Sequence, residues 1–477
     1  MERGHLRLPI TLLLCTSWIV LRLSSIEVVQ EMSRGDAVTD VHTAPQRSKR
    51  TEQAAKGTGR AAKGTGQAAK GQVVAPRWWI WLAAWPVTAV FVLSNAATPL
   101  YVLWQRDIGF SKGTLTVIFA FYIVGLIGSL LVSGVLSDRV GRKPVLLPAL
   151  VLAAVACLIF ATASSVLALV VARLLTGIAV GAAVSAGMAA VSDVAGPARK
   201  RLGALLASCA MVLGAGLGPL LAGVLSETAP APTGTVFMVE IVLLAAAFTV
   251  VLRMPLPPKS PVKSLAGKGV EPARKASWVR VPGVPRGNGG QLLLGVAVFA
   301  PGITATSFVL SLGPSLLSGL LGTTSRAVAG AMAFAMFLTA TGVQFAVQRL
   351  QVRSILVAGA VGTTLSMAAL TAAVHTSSVV LLIAAAVLAG AGQGLGQLGG
   401  LSLLNAAVPS GRLAEANAAL NVGGYVPAGI FPVVAGFLSD AAGLTTGATV
   451  FGAVLAVLAT CGGLVVLARR GQTPEPA

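Results

Sequence analysis

The chain has 477 residues, 55% of them hydrophobic and only 10% charged, where water-soluble domains carry about 25% charged residues. With a mean hydropathy of +0.84, a soluble globule is excluded. The net charge of +20 would suit a nucleic-acid partner, but its distribution along the chain argues for membrane topology instead.

Residues 1–77 differ from the rest. Leu8 to Leu21 is an apolar run shorter than a comfortable span and closer to the hydrophobic part of a signal peptide. AAKGTG then stands at Ala54 and Ala61, and AAKG at Ala68. This seven-residue repeat lacks core-forming side chains, so disorder is the expectation. Three readings are open for the basic tail: binding anionic lipid head groups, at about 1 kcal/mol per charge, a nonessential extension, or a start site assigned too far upstream.

From Trp78 to Leu467, apolar runs recur that are long enough as helices to cross a hydrocarbon core of about 30 Å. They are too rich in Gly and Ala to read as barrel strands. The expected spans lie near 80–104, 114–136, 144–163, 166–190, 203–225 and 235–253. A second set lies near 291–316, 328–347, 354–373, 378–405, 416–438 and 446–467. Pro255 to Gly290 is polar, rich in Pro, Gly and Lys, and reads as a linker. The expected organisation is therefore an extension (1–77), a six-helix bundle (78–254), a linker (255–290), a second bundle (291–470) and a tail (471–477).

Basic residues occupy alternate connections. One set, from Arg139, Arg142 and Lys143 through the linker to Arg412, Arg469 and Arg470, holds nineteen; the intervening connections hold only Arg106, Lys112 and Arg326. By the positive-inside rule the linker and both ends of the bundle face the cytoplasm. The halves also echo one another. GPLLAGVLSE, with Pro219, matches FPVVAGFLSD, with Pro432, 213 positions on; Gly177 and Gly181 match Gly390 and Gly394 at the same offset. Parallel repeats of this kind place a substrate site between two halves that rock about it.

Several residues stand out in chain order. On the first span Asn95, Thr98 and Tyr101 surround Pro99 and are cavity candidates. GVLSDRVGRKP, Gly134 to Pro144, joins the second and third spans. There Gly134 permits close helix approach, Gly141 a tight turn, and Arg139, Arg142 and Lys143 hold the loop inside, while Asp138 needs a positive partner. ARLLTGIAVG carries Arg173 and Gly177 inside the fourth span, where an unpaired charge costs at least about 2.5 kcal/mol, so Arg173 should face a partner or a wet cavity. GAGLGPLLAG on the fifth span holds Gly214, Gly218, Pro219 and Gly223, small residues for backbone contact and a proline for a kink. Glu240 lies well inside the sixth span, as a proton carrier or a structural carboxylate. Gln393 and Gln397 share one face of the tenth, as cavity lining or as interhelical hydrogen-bonding groups. Cys15, Cys157, Cys209 and Cys461 lie in apolar stretches without ligand spacing, and read as filler.

These motifs resemble those of the major facilitator superfamily over roughly Trp79 to Arg470. Gly134 to Pro144 is similar to its motif A, Arg173 to Gly181 to motif B, and Gly214 to Gly223 to motif C of drug:proton antiporters, with Ala222 where that pattern prefers glycine. The resemblance implies an all-α fold of twelve transmembrane helices in two six-helix bundles, and a proton-handling role for Arg173. It also implies that Asp138 faces the start of the eleventh helix, near Leu413 to Glu415, when the cytoplasmic gate is shut, where the helix dipole favours an anion. The second-half counterpart, VQRLQVR, keeps Arg349 and Arg353 but has Gln348 in the aspartate's place.

The function expected is proton-coupled export of small molecules, drug-like or metabolites, by a multi-pass and monomeric protein of a bacterial cell membrane. Its partners would be substrate, protons and the lipid bilayer, with no nucleic acid. An importer of sugars or metabolites, or a non-transporting sensor on the same fold, is the alternative. The chain shows no phosphate-cradling loop, metal cluster or activated nucleophile, and His5, His42 and His375 fall outside the expected spans, so neither an enzyme nor a cofactor is expected.

Overall fold

In hydrocarbon every backbone polar group has to be satisfied within its own segment, which leaves the helix as the solution for runs of this composition. The structure, a computed structural model, describes residues 76–256, 281–319, 322, 325–409 and 412–469. Among them twelve helices are long and apolar enough to cross a membrane. They are α1 (Arg77–Ile108), α2 (Lys112–Val140), α3 (Lys143–Ala161), α4 (Val166–Ala195), α5 (Pro197–Thr228), α6 (Pro232–Arg253), α7 (Gly289–Gly319), α8 (Arg326–Ala346), α9 (Val352–Thr376), α10 (Val379–Ala407), α11 (Leu413–Ala442) and α12 (Leu444–Ala468). Most helices overrun the expected spans at one or both ends, whereas α3 stops at Ala161, two residues short of its expected end, α8 ends one residue short and α10 starts one residue late. The expectations for residues 1–75, most of the linker and the tail lie outside the described residues.

Serine sets the start of four helices. Ser111, Ser165, Ser325 and Ser378 each accept a hydrogen bond from the backbone N–H three residues on, at 3.2 to 3.4 Å, satisfying one of the donors a helix start leaves unpaired. These four starts lie on one face of the bundle, called the far face below. Arg142, Arg199 and Arg353, at the α2–α3 turn and in the first turns of α5 and α9, lie on the opposite, basic face. Two spans are irregular inside. Pro99 supplies no N–H, and α1 tightens there into a 3-10 turn, Thr98–Leu100. In α4, Ala183–Gly187 is a π segment.

Burial sorts the helices. The apolar windows of α1 and α7 are 78% buried, whereas those of α6, α8 and α11 are 33% buried, so α1 and α7 run through the middle of their halves. The internal repeat appears as repeated packing. A methyl group on Gly177 of α4 would overlap the Tyr122 carbonyl of α2, and one on Gly390 of α10 would overlap the Met336 carbonyl of α8. The same backbone contact thus joins equivalent helix pairs, and only a residue without Cβ permits it.

The first six and last six spans meet through α2 against α11 and α5 against α8. On the first seam Gly113 packs on Phe437, Gly436 on Thr116 and Gly429 on Ile123; on the second, Gly223 packs on Arg326, Gly330 on Pro219 and Gly216 on Phe334. Both series begin at the far face and reach about the middle of the helices.

Candidate functional site

The α1 break positions the most deeply buried charge. Arg173 of α4 has no exposed surface. Its Nε donates to the Tyr101 hydroxyl, and its Nη1 donates to the Ser94 carbonyl at 2.7 Å, a carbonyl in the turn where Pro99 interrupts the helical ladder. The rings of Tyr101, Phe119, Tyr122 and Phe160 stand 5.1 to 5.9 Å from its guanidinium carbon, close enough for cation–π attraction. Nη2 has no hydrogen-bond partner. Arg173 is therefore a caged cation held by a carbonyl, a phenol and ring faces, without an ion pair among the described residues.

Glu240 is 2% exposed, the only acidic side chain buried among the described residues. It points into the first six spans, toward the main chain at Leu93 of α1 and toward Cys157 of α3, and its Oε1 is unpartnered. It does not pair with Arg173. The stacked rings of Phe160 and Phe237, 4.9 Å apart, connect the two surroundings: Phe160 touches the Arg173 cage, and Phe237 sits one turn before Glu240 on α6.

The chain holds three tyrosines, and all converge here. Tyr101 and Tyr122 face Arg173, while Tyr425 of α11 faces Tyr122 across the seam between halves. Sequence reasoning missed Tyr122 and Tyr425, since an aromatic on an apolar helix gives no signal of its own. Tyr101, read above as cavity lining, instead has no exposed surface and is engaged by Arg173. Asn95 is 6% exposed and donates to the Ser94 hydroxyl at 3.0 Å. Gln393 and Gln397 are half-buried on α10, with Gln393 Oε1 unpartnered.

The loop between α2 and α3 is built around Arg142. Its Nη1 donates to Asp138 Oδ1 at 2.6 Å and to Ser137 Oγ at 3.0 Å, and its Nε to Asp193 Oδ2 at 2.9 Å. Burial alone would lower its basicity; the hydrogen bonds to Asp138 and Asp193 outweigh burial and hold the guanidinium above an ordinary arginine. Gly141 has φ +107°, the turn its lack of a side chain permits. Lys143 donates to the Leu252 carbonyl at 2.7 Å, closing the C-terminal end of α6. Gly134 is buried on α2, and Arg139 lies at the end of the same helix. Asp193, which ties α4 into this clamp, carried no signal in the sequence. At the start of α11, Glu415 accepts from Arg412 at 2.7 Å.

The glycines of α5 face two ways. Methyl groups on Gly214 and Gly218 would overlap the Thr88 and Val92 carbonyls of α1, whereas one on Gly223 would overlap Arg326 of α8. The Pro219 carbonyl, also toward α8, meets Gly330. One helix thus seals the first half internally and carries half of the seam.

Solved structures share this architecture at low identity. A bacterial homologue of the human lysosomal transporter Spinster superposes with TM-score 0.62 at 14% identity, over 84% of this chain and 98% of that one. A D-xylose-proton symporter gives 0.60 at 18%, over 83% and 98%, and the nucleoside transporter NupG 0.57 at 12%, over 81% and 98%. No curated protein matches the chain. The sequence profile of the Major Facilitator Superfamily matches residues 80–350, more than half of the chain, from α1 through α8. That match, joined to twelve spans with repeated packing, makes the chain a member of the major facilitator superfamily, a transporter and not an enzyme.

Proposed function

We propose that this transporter is a proton-coupled exporter of small molecules, drug-like or metabolite, working by alternating access in a bacterial cell membrane with its basic face in the cytoplasm. The observation that carries the export reading is the two-faced packing of α5. Gly214 and Gly218 clamp α1 while Gly223 and Pro219 meet α8, so the antiporter-like motif is built into the seam that must open and close. The far side of that seam is packed down to about mid-membrane. A shut far side belongs to the cycles of exporters and importers alike, so the direction in this reading is carried by the antiporter-like α5 motif and not by the state.

Arg173 and Glu240 support proton coupling. Both are buried in the first six spans, both retain an unpartnered polar atom, and Arg173 sits directly behind the seam through Tyr122. Glu240 is the proton carrier in this reading, and Arg173 fixes the electrostatic surroundings in which the proton is held. The test is uptake into everted vesicles with an imposed proton gradient, using a panel of fluorescent lipophilic probes. The intact protein accumulates at least one probe in a gradient-dependent manner, and Glu240→Gln loses the gradient dependence while inserting normally. Unchanged gradient-driven accumulation in Glu240→Gln removes Glu240 from the coupling. A probe that moves only inward down its gradient in intact cells contradicts export.

A further inference from the structure

The repeat that ends in a serine and an acid, Ser226-Glu227 in the first half and Ser439-Asp440 in the second, is not used by the reading above. Each acid lies in the last turn of its helix, α5 or α11, where the helix's own dipole disfavours an anion. Both acids find the same compensation in the opposite half. Asp440 Oδ1 and Oδ2 accept from the backbone N–H groups of Lys112 and Gly113 at 3.0 and 2.8 Å, at the start of α2. Glu227 Oε1 accepts from the Ala327 N–H at 3.1 Å and from the Ser325 hydroxyl at 2.9 Å, at the start of α8.

The two receiving ends match as well. Ser111 and Ser325 are the capping serines, each followed by a basic residue, Lys112 and Arg326, and then by Gly113 and Ala327, whose N–H groups both donate to the acid. The first-half latch gains a further layer, since Arg326 donates to Ser226 Oγ at 2.9 Å and to the Ser226 carbonyl at 2.7 Å.

From this symmetry we propose that Glu227 and Asp440 are paired positioning residues, latches that hold the far gate shut by docking each carboxylate on the helix start of the other half. The proposal rests on the alternating-access reading. Both contacts cross the seam, so separation of the halves on the far side has to break them, and the carboxylates then face their own helix dipoles uncompensated. Removing the latches therefore moves the resting population toward a state open on the far side. Both carboxylates are exposed, so each contact is of the modest, salt-screened kind, suited to a gate that must open in every cycle.

The test uses Ser315→Cys as reporter, in full-length protein whose four native cysteines are replaced. Ser315 is 5% exposed and lies on the far side of α7, against Gln105 of α1. Labelling of intact cells with a membrane-impermeant maleimide is slow while the latches are intact. In Asp440→Ala or Glu227→Ala the rate rises about twofold to fivefold, the range of one charge–dipole contact, and in the double variant about the product of the two. Asp440→Asn with Glu227→Gln keeps an acceptor oxygen but no charge, and gives an intermediate rate. An increase that shrinks at high salt supports the latches. Equal labelling with and without the carboxylates overturns them, and if the alanine variants fail to insert, an unchanged rate in the amide variants does the same. Labelling needs no substrate, so this result stands apart from the vesicle test of export.

Discussion

Arg173 shows how a charge survives in a membrane without a counter-ion. The Ser94 carbonyl, the Tyr101 phenol and four ring faces supply its surroundings, and these are directional, so the flat guanidinium fork matters more than the positive charge. Lysine at this position keeps the charge but cannot hold Tyr101 and Ser94 together. Arg173→Lys therefore destabilises the purified protein by about 2 kcal/mol, the scale of one lost charge-assisted hydrogen bond, read as a lower apparent Tm. A Tm equal to that of the unmodified protein would show that charge alone suffices. That Arg173 needs compensation was legible in the sequence, because a charge well inside an apolar run has few options. Its partners were not: Ser94 contributes a main-chain oxygen, and Phe119, Tyr122 and Phe160 look like ordinary apolar helix residues until the bundle closes.

At the scale of the helix, α5 makes a sharper point. Its glycine spacing announced close packing, but a spacing does not say against what. Gly214 and Gly218 lie against α1 in the same half, while Gly223 lies against α8 in the other. The same substitution should then have two outcomes on one helix. Gly218→Ala drives a methyl group into the Val92 carbonyl and forces α5 away from α1, which lowers thermal stability by about 1 to 3 kcal/mol. Gly223→Ala drives one into Arg326, and the halves relieve that strain by parting, so Tm changes little while far-side labelling of a Ser315→Cys reporter speeds up. Matching Tm losses in the two variants would mean that the seam is as permanent as the interior. The acids at the ends of α5 and α11 stood out in the sequence as the end of the internal repeat, but their partners did not, for a related reason. A repeat does not say what its ends touch, and only the assembled bundle brings the α8 and α2 starts beneath them.

For the whole molecule, hydropathy and charge alternation prescribed the number of spans and the two faces, because lipid leaves a chain few choices. They could not prescribe which face is closed, since two states of one sequence share one pattern of hydropathy. The packing supplies that answer at Ile123 and Gly429. A Cβ placed on Gly429 would lie 3.9 Å from the Ile123 Cβ across the α2–α11 seam, within the spacing of about 3.5 to 4.5 Å that a disulfide requires. The pair lies near mid-membrane, next to Tyr122 and the Arg173 cage, where far-side opening has to part the helices. In Ile123→Cys/Gly429→Cys, with the native cysteines replaced, oxidation should stop transport and a reductant should restore it, while either single variant stays indifferent to oxidant. Turnover that continues with the bond formed, verified by a mobility shift on gels, would mean that α2 and α11 remain together at this depth throughout the cycle. Opening would then have to pivot elsewhere than at the seam between the two sets of six helices.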